Sequence, residues 1–554
     1  MLRLQPSLID YLLLAMYFVV VLGIGIFARR AVGTSADFLL AGRSLPAWVT
    51  GLAFVSANLG ATEIIGMAAN GAKYGVATVH YYWVGAIPAM VFLGIVMMPF
   101  YYRSGVRSVP EFLRRRYSDA SHVLNSLIFA LAAVLIAGVN LYALAIVLQA
   151  LLGLPLFLGV ILSAIVVLVY VGAGGLSSAI YGEVLQFFII IAALVPLMFV
   201  AVRSVGGFHG LAEKVTQSTL HNQGLHAWAG TGVGSNGGAL GSNFIGIILG
   251  LGFVLSFGYW TTNFAEVQRA FSAKNLSAAR RTPLIAAYPK VLIPAIVVIP
   301  GLVALVSLPD FGKAKTAADG LTYNDAIPAL MGKLLPSGLL GLAITGLFAS
   351  FMAGVAANVS SLNTVVTYDL VQAYWKKDRD DKFYLRVGRL VTVVGIVISV
   401  FTALLASTFS NIMEYLQALF GIFNAPIFAT FILGMFWKRT NARGGFWGLL
   451  SGVLAGMTTY FLFFTHHLHA GSPLAETFVE ASIAFFVDIT VSVVLSLTGP
   501  APARENLDGL VFGTTHEGDD EGVQDEGDSA WYRKPLTLGI GALVIAAVLN
   551  VIFA

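Results

Sequence analysis

Five ionisable side chains stand inside long apolar stretches of this chain: Glu63, Glu183, Lys290, Glu414 and Asp488. A carboxylate or amine in so apolar a setting is costly unless it is paired, hydrogen-bonded or functional. Glu63 follows Ser56-Ala57-Asn58-Leu59-Gly60-Ala61-Thr62, a cluster of small and polar residues that weakens a regular helix. An unwound stretch there frees backbone carbonyls to coordinate a cation or bind a polar solute. A comparable patch, Ser256-Phe257-Gly258-Tyr259-Trp260-Thr261-Thr262-Asn263, recurs about 200 residues later. Two broken helices at corresponding places in two halves point to a transporter with inverted repeats. Small residues also mark plain tight packing, and the pattern alone leaves both readings open. Tyr259 and Trp260 adjoin the second patch and are candidates for solute contact. Glu63 and Lys290 are candidates either for titration or for a simple ion pair. Glu414 and Asp488 read as structural acids that bond neighbouring helices. His466, His467 and His469 have metal-binding spacing but no evident fourth ligand, and they read as a wet interfacial patch. With no cysteine, no Gly-x-Ser-x-Gly, no His-Glu-x-x-His and no phosphate-cradling loop, the sequence does not read as an enzyme.

The elements that must hold these residues are membrane spans. The 554 residues are 58% hydrophobic and only 11% charged, a balance that suits a bundle solvated by lipid. Apolar runs are expected to be helices at 8–28, 46–72, 79–102, 121–150, 155–172, 178–204, 242–270, 281–307, 334–372, 385–407, 410–436, 442–464, 475–498 and 535–554. Basic residues sort between alternate loops. One set carries Arg29-Arg30, Arg103, Arg107 and Arg114-Arg115-Arg116, then Lys274, Arg280-Arg281, Lys376-Lys377 and Lys438-Arg439. The other carries only Arg3, Lys73, Arg203, Lys214, Lys313, Lys315 and Lys333. By the positive-inside rule the richer set is cytoplasmic, which places both termini outside. The arginine run at 114–116 reads as topogenic. The first apolar run lacks a small-x-small cleavage pattern and reads as a retained helix. Residues 205–241 are glycine-rich and expected to form a flexible outer loop, while the acidic run at 517–528 reads as a solvated inner one. Trp48, Trp83, Trp437 and Trp447 read as interfacial anchors.

Several stretches resemble the sodium/solute symporter family. They are Asp37-Phe38-Leu39-Leu40-Ala41-Gly42-Arg43, Val109-Pro110-Glu111-Phe112-Leu113, Gly172-Ala173-Gly174-Gly175-Leu176-Ser177, Val267-Gln268-Arg269 with Ala273-Lys274-Asn275, and Gly434-Met435-Phe436-Trp437-Lys438-Arg439. The run from Tyr259-Trp260 to Asn275 is most similar to the bacterial-type, sodium/glucose-cotransporter-like branch. The resemblance implies an all-α integral membrane protein of about 14 transmembrane helices with a five-plus-five inverted-repeat (LeuT-like) core. Residues 1–45 would be an extra helix and inner loop, 46–204 the first repeat, 205–241 an extracellular loop, and 242–436 the second repeat. Residues 437–502 would add two helices, 503–534 an acidic cytoplasmic loop and 535–554 a last helix. Carried over, the solute-facing positions are Asn58, Glu63, Met67, Tyr81, Tyr82, Gly85, Ser256, Tyr259, Trp260, Lys290 and Gln417.

The departures from the family pattern concern the site itself. Sugar-transporting relatives usually carry a neutral amide at the position of Glu63, an acid at Tyr82 and a small polar residue at Gly85. The family's sodium ligands map to backbone carbonyls of Ser56, Leu59 and Ser350, and to two hydroxyl positions occupied here by Ala353 and Gly354. Neither of those two offers a side-chain oxygen to a hard cation. Glu183 replaces a shorter acid and is a candidate to reach that degenerate site. The reading is a secondary active transporter importing a small polar solute, a sugar or polyol, in a cell membrane. Sodium is favoured as coupling ion, with a proton, or no coupling, left open. The alternatives are a monocarboxylate or amino-acid symporter and, from other classes, a channel or a solute sensor. The expected partners are the solute and the lipid bilayer, with no cofactor, no nucleic acid and no obligate protein partner.

Overall fold

A computed structural model of the chain describes residues 4–29, 44–106, 108–235, 237–313, 320–503, 507–514 and 530–554, with backbone alone at 22, 25–29, 170 and 172–178. The Asp37–Arg43 motif and the acidic run at 517–528 lie outside them. Among the described residues there is no strand, only one isolated parallel bridge between Leu45 and Ala273. Among the described residues ten helices are long and apolar enough to cross a membrane, or up to twelve if each of two bent pairs counts as one span.

In chain order the helices are α1 (Leu8–Arg29), the bent pair α2 (Ala47–Asn58) and α3 (Thr62–Val79), then α4 (Tyr81–Arg103) and α5 (Val109–Arg116). Next come α6 (Asp119–Leu152), α7 (Leu156–Ser204), α8 (Gly207–Gln217), the bent pair α9 (Gly246–Thr262) and α10 (Phe264–Phe271), and α11 (Leu276–Ser307). They are followed by α12 (Ala326–Leu334), α13 (Leu339–Trp375), α14 (Asp381–Ala406), α15 (Ile412–Phe436), α16 (Ala442–Phe464), α17 (Pro473–Thr498) and α18 (Pro535–Ile552). Many starts carry the cap that orphan N–H groups require. Ser118, Asn275, Asn441 and Ser472 each accept a hydrogen bond from a first-turn amide.

Burial separates two populations of helix. The spans α6, α13 and α15 are almost wholly enclosed by protein, whereas α14, α16, α17 and α18 show most of their apolar surface outward. That is the arrangement of a core bundle with peripheral helices in lipid. Asp10 ties the first helix to this core. Its Oδ1 accepts the amides of Gly338 (2.7 Å) and Gly341 (2.6 Å), so it caps α13 from another helix.

Four features differ from the sequence reading. The runs 155–172 and 178–204 form one uninterrupted helix, α7, of 49 residues. Straight, it would measure roughly 70 Å, more than twice a hydrocarbon core; its stretch Ala179–Ser204 is long and apolar enough to cross a membrane, and Leu156–Val169 is a shorter apolar stretch. No proline falls between those two stretches to break the helix. Second, the loop 205–241 is folded rather than free. It holds α8, and the Ala227 amide donates to the Phe553 carbonyl (2.7 Å) while His80 Nε2 meets the Ala227 carbonyl (2.8 Å). Third, Trp83 is no interfacial anchor. It is 6% exposed and donates its indole N–H to the Val291 carbonyl (3.0 Å), whereas Trp48 and Trp447 are exposed. Fourth, Arg116 does more than set topology. Its guanidinium donates to the carbonyls of Gly434, Trp437 and Thr440 at 2.8–3.0 Å and so closes the C-terminal end of α15.

The Leu45–Ala273 bridge is short but well placed. Leu45 donates its amide to Ser272 (3.2 Å), and Lys274 donates to Leu45 (2.9 Å). It joins the start of the first bent pair to the end of the second.

Candidate solute site between two broken helices

The first break falls at Leu59–Ala61, where α2 and α3 meet at 57°. Leu59 leaves helical geometry (ψ 40°), and the chain resumes in a wide π turn at Thr62–Gly66. Asn140 on α6 holds the break open, because its Oδ1 accepts the Ala61 amide (2.8 Å) that lost its helical partner. The Ser350 hydroxyl of α13 donates to the Leu59 carbonyl. Both neighbours of Asn140 must be glycine. A Cβ on Gly60 would lie 2.6 Å from Asn140 Oδ1, and one on Gly354 would lie 2.2 Å away.

The second break is at Asn263, between α9 and α10, with a 48° bend. Asn263 is extended (φ −71°, ψ 108°) and its side chain accepts the Ala265 amide (3.1 Å), a cap that starts α10. Tyr101 satisfies the orphan carbonyl of Thr261 (2.8 Å). The patch 256–263 is therefore helical as far as Thr262, and only its last residue, Asn263, is unwound.

Between the breaks lies a cavity of about 50 Å³. Asn58, Glu63, Met67, Tyr81, Tyr82, Ser256, Tyr259, Trp260, Lys290 and Gln417 all line it, together with Thr62, Ala86, Leu255, Met413 and Phe420. Gly85 stands just behind, where a Cβ would come 2.2 Å from Ser256 Oγ. The volume has room for a few waters and is well below the roughly 300 Å³ of an open ligand pocket. The aromatic floor is continuous, with ring centroids 4.8 Å apart for Tyr259–Phe420, 5.3 Å for Tyr259–Trp260 and 5.7 Å for the stacked Phe54–Trp260. A larger cavity of about 530 Å³, lined by Ser108, His122 and Asp369 among others, lies at the arginine-rich end.

Lys290 is the hub of the cavity's polar groups. Its ammonium lies 2.7 Å from Glu63 Oε1, donates to Asn58 Oδ1, and stands 5.1 Å from the ring centroids of both Tyr82 and Trp260. Asn58 donates on to the Tyr259 hydroxyl (3.0 Å), which donates to Glu266 Oε1 (2.6 Å). Every group in this chain is buried except Tyr259, which is partly buried.

The residues aligned with a sodium site come together only in part. Ser56 and Ser350 are fully buried, with Ser56 Oγ unpartnered among the described residues, but the Leu59 carbonyl is already taken by Ser350. Ala353 and Gly354 are buried and present Asn140 with a smooth face. Glu183 does not reach into this gap. Arg269 grips both its oxygens, and the pair is fully buried. Elsewhere, Glu414 pairs with Lys73 (2.5 Å), and Asp488 accepts from Thr430 (2.6 Å) and Ser492 (3.0 Å). Among the described residues no cluster of acids and histidines is set to hold a metal. Sequence reasoning passed over Asn140 and Glu266. Asn140 was a single amide in an apolar run, and Glu266 lies seven residues past Tyr259 in a pattern the break interrupts.

A lipid-facing bundle whose two broken helices enclose a polar, aromatic-floored cavity defines a membrane carrier of small solutes. The sequence model described as the Sodium:solute symporter family matches residues 38–452. The chain belongs to the sodium:solute symporter family, whose members are transporters and not enzymes. It is 28% identical over 464 residues to a sodium/glucose cotransporter of Vibrio parahaemolyticus, covering 81% of this chain and 84% of the relative. It is 30% identical over 547 residues to the human sodium/myo-inositol cotransporter 2, covering 93% and 80% respectively. Among solved structures it shares the fold of a substrate-bound, outward-open Na+-coupled sialic acid symporter, at TM-score 0.73, 19% identity, and coverage of 90% of this chain and 99% of that one. The chain is thus a multi-pass membrane protein.

Proposed function

We propose that this protein imports a small, polar, hydroxylated solute, a sugar or polyol, by cation-coupled alternating access. One observation carries the reading: side chains from both broken helices, from α4, α11 and α15, converge on a single cavity that pairs an aromatic floor with an amide, an ammonium and hydroxyls. Hydroxyl-rich rings present apolar faces and many donor and acceptor edges, which such a lining complements. The glucose and myo-inositol named for the relatives above support the same class. Because Lys290 is already neutralised by Glu63, a carboxylate solute would meet no free counter-ion there.

Our reading of the topology is about fourteen spans with both termini outside, a ten-helix core of two inverted repeats at 46–204 and 242–436, and peripheral helices around it. The alternation of basic loops and the paired breaks support it. Sodium is the coupling ion that the relatives' names favour, with Ser56, Leu59 and Ser350 as its nearest oxygen donors. The second reading is a proton, favoured by the Asn140 amide standing where hydroxyl ligands would be needed.

The test is solute-evoked current and uptake in proteoliposomes with glucose, myo-inositol, lactate and proline, with and without sodium and at fixed pH. Saturable uptake of glucose or myo-inositol that exchanges with internal solute supports the proposal. Uptake of lactate or proline alone moves the solute class. Conductance that never saturates refutes the carrier reading in favour of a channel, and binding without flux refutes it in favour of a sensor.

A further inference from the structure

Around the two breaks, three buried acids, Glu63, Glu183 and Glu266, lie beside two buried bases, Lys290 and Arg269. Glu63 is matched by Lys290, and Glu183 by Arg269. Arg269 spends Nε and one terminal nitrogen on Glu183, while its other terminal nitrogen donates to the Ala265 carbonyl (2.7 Å). Glu266 is 4% exposed, accepts one hydrogen bond from Tyr259 at Oε1, and leaves Oε2 buried with no partner among the described residues. The groups facing it from the packed elements are Tyr259, the neutral Asn58 of α2, Lys290 of α11 and Arg269 of its own helix. Where α13 packs on α10 it contributes Thr364, which is held by Gln268.

A buried carboxylate with no cation of its own is expected to neutralise rather than remain charged. Sodium would require several oxygen ligands arranged around it. A proton requires none. We propose that Glu266 is a proton-binding site of the transport cycle, linked to the solute cavity through Tyr259 and Asn58. This rests on the carrier reading and supplies it with a coupling group. Proton binding converts the carboxylate to the neutral acid, with no other bond made or broken. Loss of that proton turns the Tyr259–Glu266 contact into a charge-assisted hydrogen bond, roughly twice as strong as a neutral one. The donors run one way, from Lys290 to Asn58 to Tyr259 to Glu266. The charge on Glu266 therefore sets how firmly the aromatic floor is pinned, and a solute that takes Asn58 or Lys290 loosens the same chain.

The deciding experiment is infrared spectroscopy of the purified full-length protein at neutral pH, wild type minus Glu266→Gln, read at the carbonyl stretch of protonated carboxyl groups. A band present in wild type and absent in the variant supports the proposal, and no difference overturns it. Tyr259→Phe gives a second reading if Glu266→Gln cannot be purified. Loss of its hydrogen bond shifts the band if Glu266 carries the proton and leaves the region unchanged if it does not. In vesicles that show solute exchange, the ratio of uptake with an inward acid gradient to uptake without one should exceed one in wild type and fall to one in Glu266→Gln. Absence of exchange with every solute would remove the carrier reading, while the infrared result would still stand for or against Glu266.

Discussion

Consider the Glu63–Lys290 pair, 2.7 Å apart and with both side chains at most 4% exposed. Lys290→Met removes the cation from a buried site. Glu63 is then left as an uncompensated buried charge beside Tyr82, and the expected loss is about 3–5 kcal/mol of unfolding free energy. Glu63→Gln is milder, because the ammonium keeps the Asn58 oxygen and stays near two aromatic rings, each worth about 0.5–2 kcal/mol to a desolvated cation. The double variant removes both charges and should lie within about 1–2 kcal/mol of wild type, since an apolar replacement of a buried pair is often neutral. The four proteins, purified in one lipid–detergent mixture and unfolded by a graded denaturing detergent, form a double-mutant cycle. Lys290→Met should be the least stable, and adding Glu63→Gln to it should restore stability rather than reduce it further. If the two single losses simply add, within about 0.5 kcal/mol, the charges are not interacting and the pair is not what anchors the cavity.

Three other expectations follow from the geometry. Gly354→Ser, which restores a hydroxyl at the degenerate cation position, should destabilise the protein by about 1–3 kcal/mol through its clash with Asn140; thermal unfolding should show partial recovery in Gly354→Ser/Asn140→Ala. Tyr259→Phe removes a link between Asn58 and Glu266 and should raise the half-saturating concentration of the transported solute by about tenfold, the equivalent of roughly 1.4 kcal/mol. Arg116→Met should lower thermal stability far more than Arg115→Met, because only Arg116 is buried and serves three helix-end carbonyls, whereas Arg115 is exposed.

Much of the architecture was legible because the membrane simplifies the problem. The spans announce themselves by apolar length, and runs of small polar residues marked both broken helices. What the sequence could not show was where each break falls. Leu59–Ala61 opens because Asn140, some eighty positions away, supplies the acceptor, and nothing local to the patch encodes that. Asn263 ends α9 while Ser256 stays helical, its hydroxyl satisfied by the Leu251 carbonyl (2.8 Å). Glu266 was overlooked for a related reason. In an unbroken helix it would share a face with Tyr259 but stand two turns, roughly 10 Å, further along the axis, and the 48° turn comes between the two. Trp83 looked interfacial because tryptophans near span ends usually are, but here the Val291 carbonyl offers a buried partner for its N–H. The 205–241 loop looked mobile from its glycines. Its order comes from distant partners at Phe553 and His80, which composition does not reveal.

The two backbone hydrogen bonds between Leu45 and the 272–274 segment carry a mechanical consequence. They couple the leading end of α2 to the trailing end of α10, while the kinks at Leu59–Ala61 and Asn263 set both half-helices at an angle to their outer partners. Two independent flaps would need two coincident openings to release a solute. Yoked in this way, the two half-helices are tied into one unit, so that a displacement of either is handed on to the other.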